Sequence, residues 1–125
     1  TTIAQTFFIT AATFGALSIY GYTTHRDLRP FGTFLFMAVL GIFIASLVNI
    51  FLHSSQLQFL ISIIGVLLFS GLTAYDTQMI KAFYYEHDDH DTMMRKIIIG
   101  ALNLYIDFIN MFISILQFLN YQNRN

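Results

Sequence analysis

Four long apolar runs follow one another along the chain, from about Ile3 to Tyr22, Thr33 to Leu52, Leu57 to Phe83 and Lys96 to Leu119. At ~1.5 Å of rise per residue each is long enough to cross a ~30 Å hydrocarbon core as a helix. Polar residues gather between the runs. Thr23 to Gly32 holds the only proline, Pro30, with His25, Arg26, Asp27 and Arg29, and His53 to Gln56 is a short uncharged link. Tyr84 to Arg95 is acidic in the middle (Glu86, Asp88, Asp89, Asp91) and basic at its edges (Lys81, Arg95, Lys96). The pattern predicts an all-α integral membrane bundle, one transmembrane domain over residues 1–125 with four spanning helices and no soluble unit.

The polar positions inside the runs carry the chemistry. Gly100, Asn103, Asp107, Asn110, Ser114 and Gln117 recur at steps of three and four, which sets all of them on one helix face. A stripe of that length cannot face lipid, so the fourth helix is expected to be central. Asn103 and Asn110, each taken alone, read as hydrogen-bonding glue between helices. On the third helix Ser70, Thr73 and Thr77 share a side, and Thr73 lies about one turn from Asp76. Small residues predict packing seams: Ala4, Ala11, Gly15 and Ser18 on the first helix, and Ala38, Gly41 and Ala45, ending near Asn49, on the second.

Asp76 and Asp107 are acids inside membrane-length apolar runs. A charge there costs at least ~2.5 kcal/mol on insertion scales, so such residues face a bundle interior or a watery path. Asp76 lies about 8 Å below Lys81 and Asp107 about 16 Å in from Lys96, at helical rise. If the third helix continues past Lys81 through Tyr84 the depths converge, and the carboxyl groups would meet across an antiparallel pair. Two such acids would share a proton and sense pH, and ionised they would offer hard oxygen ligands to Ca²⁺. The blander readings are a structural buried acid at Asp107, and an Asp76 paired with a basic residue on a helix outside this chain.

Composition agrees with the pattern and excludes several classes. Apolar residues make up 56% of the chain and charged residues 10%, and mean hydropathy is +0.63. A net charge of -1 gives no case for nucleic acid, and the absence of Cys rules out disulfides and thiol-ligated metal. Neither a zinc-protease HExxH, a GxSxG elbow nor a glycine-rich phosphate loop occurs, so no enzyme activity and no cofactor beyond Ca²⁺ is expected. An intramembrane aspartyl protease would also use two membrane acids, but the glycine that follows its aspartate is missing after Asp76 and Asp107. The run of His87, Asp88, Asp89, His90 and Asp91 is metal-capable in type, yet a contiguous stretch fixes no ligand geometry, and it reads as a solvated loop. Because Lys and Arg mark the cytoplasmic side, the first and third connections are expected there, or on the matrix side in a mitochondrion. The second link and the C-terminal tail then lie opposite, with Arg124 the exception. The chain opens at Thr1 inside an apolar run with no signal-peptide pattern and reads as a fragment missing upstream helices.

The runs GALSIYGYTTHRDL (Gly15 to Leu28), FLFMAVLGIFIASLVNIF (Phe34 to Phe51), GLTAYDTQMIK (Gly71 to Lys81) and GALNLYIDFINMF (Gly100 to Phe112) resemble the last four helices of the Bax inhibitor-1 (TMBIM) family, in its bacterial branch. The resemblance covers nearly the whole chain. It implies a seven-helix fold with the seventh helix central, and an inner membrane of bacterial type or an organelle membrane of bacterial descent. It also implies that Asp76 and Asp107 are the family's paired pH-sensing aspartates in a Ca²⁺ leak pathway. Three departures stand beside it: helices one to three are absent, with the basic residue expected to latch the aspartates; the EHDDHD loop looks long; and the basic C-terminal tail of many eukaryotic relatives is lacking. Two function classes follow. One is a Ca²⁺ or proton path controlled by the acid pair. The other is a regulatory membrane protein acting through a partner, such as a membrane AAA protease or a respiratory assembly.

Overall fold

The computed structural model describes residues 2–85 and 89–124. Four helices account for almost all of them: α1 (Thr2–Thr23), α2 (Gly32–Leu52), α3 (Ser55–Tyr85) and α4 (His90–Arg124), with a short 3-10 turn, Arg29–Phe31, leading into α2. All four are long and apolar enough to cross a membrane. Among the described residues there are no strands. Glu86, His87 and Asp88 of the acidic run lie outside the described residues. Asp89 precedes α4, and His90 and Asp91 are its first residues.

Helix ends follow local chemistry. Pro30 sits at the start of the 3-10 turn, where its missing N–H costs nothing. The Asp27 carboxylate accepts the Arg29 N–H at 3.0 Å and so shapes the approach to α2. His53 closes α2 in the left-handed conformation (φ 51°), its N–H returning to the Asn49 carbonyl. The fourth helix begins at His90 rather than at Lys96. Asp91 in its first turn complements the positive end of the helix dipole, and the Met93 N–H bonds the Asp89 carbonyl.

Side-chain burial is the reverse of a soluble protein's. Phe8, Phe34 and Phe51 are among many large apolar residues on the outside, whereas Thr6, Thr10, Ser62 and Thr73 are almost fully enclosed. Hydrocarbon makes that distribution favourable, provided each inward polar group is satisfied. The hydroxyls do this within their own helices: Thr6, Thr10, Thr73 and Thr77 donate to the carbonyls of Thr2, Thr6, Phe69 and Thr73, one turn back.

α3 is the hub. It packs against α1, α2 and α4, while the α4 backbone comes close to α3 and α1 but not to α2. Among these four helices α3 touches all the others; the expected central place of the fourth helix concerns the full-length bundle. The physical reason for the α3 hub is where small residues allow backbones to approach. A Cβ on Gly21 of α1 would collide with the Ala74 backbone, one on Gly65 with the Ser114 side chain, and one on Gly71 would touch Leu35. The seams expected at Gly15 and Gly41 are not used, since each faces open space, and Ala4 and Ala11 are exposed. Phe69, Met111 and Ile115 form the core where α3 and α4 meet, with Phe14, Leu17 and Val39 packed against it. Phe108 of α4 adds edge-on ring contacts to Phe7 and Phe14 of α1.

Candidate functional site: an acid pair in a groove

Because α2 and α4 flank α3 without close backbone approach to each other, they leave a groove along the bundle. It encloses about 750 Å³. Its walls are apolar on the α2 side, with Phe36, Ile42 and Phe43, and polar on the α4 side. Asn103, Asp107, Asn110, Ser114 and Gln117, five members of the α4 stripe, all line it, and Asp76 enters from α3. The polar stripe thus faces a groove rather than a packed interface. Its sixth member, Gly100, meets the side chain of Ile80 on α3.

The Asp76 and Asp107 side chains adjoin there, on the wall of the groove. α3 does run on past Lys81, to Tyr85, and this is what brings the two depths together. Asp107 is 4% exposed. Among the described residues its buried Oδ2 has no hydrogen-bond partner, and no Lys, Arg or His pairs with either acid. Carboxylates only accept hydrogen bonds, so two adjoining carboxyl groups can bond each other only when one of them carries a proton. Chemically, the pair can hold one proton, release it, and then present several oxygens to a hard cation.

The supporting residues divide. Asn103 is exposed at the groove wall. Asn110 donates to the Ile106 carbonyl of its own helix at 2.9 Å rather than to another of these four helices. Thr73 is fully buried, bonded to the Phe69 carbonyl, and does not line the groove. No group of three or more metal-capable side chains occurs among the described residues, and the pair supplies two carboxylates.

Sequence reasoning missed residues at both ends of the groove. Toward the basic connections, the Gln78 amide donates to the Arg26 carbonyl at 2.8 Å and accepts the Leu28 N–H at 2.7 Å. Lys81 donates to the Tyr22 carbonyl at 2.7 Å and stands over the Tyr22 ring. These bonds put the first connection and the C-terminal end of α3 at the same end of the bundle. At the other end, Asn49 donates to Gln58 at 3.0 Å and Ser62 to Gln117 at 3.3 Å. Gln58 and Ser62 are four apart, and that spacing on α3 was the available signal.

A polytopic helical membrane protein with two contacting acids inside its bundle is a defined class, and the comparisons with known proteins make it more specific. The family described as inhibitor of apoptosis-promoting Bax1 matches residues 1–125. A protein of Caulobacter vibrioides is 54% identical over 117 residues, covering 93% of this chain and 47% of that one. The inner membrane protein YbhL of Escherichia coli is 55% identical over 117 residues, 92% of this chain and 50% of its own. A membrane protein of Streptococcus pyogenes is 44% identical over 117 residues, 94% and 51% respectively. The chain belongs to the Bax inhibitor-1 family, as an integral membrane protein of the bacterial inner-membrane type. It spans about half the length of these relatives.

Proposed function

We propose that the whole protein is a pH-sensitive Ca²⁺ leak pathway in which Asp76 and Asp107 form the gate and sensor, without enzymatic activity. The observation that carries this reading is that two adjoining acids, without a basic partner among the described residues, face a polar-striped groove. With one proton between them the carboxyl groups hold α3 and α4 together across the groove. Loss of that proton leaves two like charges in contact, which must separate or take up a cation. The cytoplasmic end of the route is the one bearing the first connection and the end of α3, on the strength of Arg26, Arg29 and Lys81. Asn103 and Asn110 supply neutral polar surface on either side of the pair.

The test is Ca²⁺ release from liposomes containing the full-length protein across a range of pH. Wild type should show flux that changes with pH. Asp107→Asn and Asp76→Asn keep the side-chain shape and remove the shared titration, so each should flatten that dependence by itself. Wild-type pH dependence in both variants would leave partner binding, to a membrane AAA protease or a respiratory assembly, as the better account.

A further inference from the structure

The polar wall of the groove does not stop at the acids. On α4 it continues from Asp107 through Asn110 and Ser114 to Gln117, about 15 Å at helical rise. There it meets a second cavity of about 450 Å³, lined by His53, Ser54, Ser55, Gln58, Gln117, Asn120 and Tyr121. Gln58 of α3 and Gln117 of α4 line both spaces. They form the boundary between the acid groove and a polar vestibule at the end away from the basic connections.

We propose that Gln58 and Gln117 form a second, uncharged control layer on the route, in series with the acid pair. The proposal rests on reading the groove as a cation path. Its structural support is that these amides are held in place rather than waving in a headgroup region. Gln58 Oε1 accepts from Asn49 Nδ2, Asn49 Oδ1 accepts the Ser54 N–H at 3.1 Å, and the single Ser62 hydroxyl proton is shared between the Gln58 carbonyl at 2.9 Å and Gln117 Oε1 at 3.3 Å. Ser62 is 1% exposed and Asn49 9%, so α2, α3 and α4 are tied together through buried polar groups. The chemistry of the arrangement is closing. A hard cation is taken up by oxygens turned toward it, and here each glutamine oxygen is held by a bond to a neighbouring side chain, so the two neutral amides stand fixed in the boundary with no charge to draw a cation through. Release from Asn49 or Ser62 turns the oxygens free and converts the layer into neutral ligands.

The natural absence of Cys in these residues makes accessibility the direct test, with single-Cys variants of the full-length protein in liposomes. A membrane-impermeant methanethiosulfonate applied from the His53 face should modify Asn120→Cys in the vestibule quickly and Ser114→Cys, behind the layer, slowly. Ile109→Cys, which lies outside both cavities, should stay unmodified. Adding Asn49→Ala or Ser62→Ala should speed modification at Ser114→Cys by roughly two- to tenfold, the change that loss of one neutral hydrogen bond allows. The rate at Asn120→Cys should not move, which separates release of the layer from general unfolding. An unreactive Ser114→Cys, or a rate that neither variant alters, overturns the amide layer. Ca²⁺ release from the same liposomes distinguishes the two readings. Layer-controlled labelling without any flux sinks the leak pathway alone, whereas pH-dependent flux without labelling behind the layer sinks the layer alone.

Discussion

Gln78 stands two residues beyond Asp76 and uses both ends of its amide on the backbone of the first connection, at Arg26 and Leu28. Together with the Lys81 bond to the Tyr22 carbonyl, it fixes how α1 hands the chain to α2, close to the helix position of Asp76. Gln78→Leu keeps the bulk and removes both bonds. Since these groups are partly open to water, the cost should be about 1 kcal/mol, not the full penalty of a buried orphan. Melting in detergent should fall by a few degrees, and the Leu28 amide should exchange faster. Unchanged exchange at Leu28 would mean that the clamp does not hold in solution.

At the scale of the element, glycine placement decides which helices touch. Gly21 and Gly15 sit on the same helix with opposite surroundings: an added Cβ at one meets the Ala74 backbone, and at the other meets nothing within 4 Å. Gly21→Ala must push α1 off α3 and should cost ~1–3 kcal/mol. Gly15→Ala should be neutral or stabilising by up to ~1 kcal/mol, because alanine is the better helix former. Thermal stability of the two variants in detergent reads this contrast. Equal effects at both positions would show that α1 does not pack on α3 at Gly21.

At the scale of the whole molecule, α1 and α2 expose most of their apolar surface to the surroundings, while the acids face a groove between helices. That arrangement suits lipid outside and a polar route inside. The basic residues of the first connection and of the α3 end lie together, so both should face the cytoplasm. Reporter fusions at His53 and at Asn125 of the full-length protein should then report the opposite side. Cytoplasmic signals from both would reverse the proposed topology and, with it, the end from which the acid pair is approached.

Period and length in the sequence determined the number of helices, the membrane as their surroundings and the shared face of Asp107 with Asn103, Asn110, Ser114 and Gln117. These properties are local, set by 3.6 residues per turn and by the intolerance of hydrocarbon for unpaired backbone. The convergence of Asp76 with Asp107 was legible too, once the third helix was allowed to run on past Lys81. Tertiary structure alone decided which helix is the hub, because close approach depends on what stands opposite a glycine: Gly21 meets Ala74, while Gly15 and Gly41 meet nothing. It also decided that Asn110 bonds within its own helix and that Gln58 and Gln117, 59 positions apart in sequence, share one boundary. No spacing rule joins residues on different helices. Their meeting is fixed by the crossing and register of α3 against α4, which only the packed bundle defines.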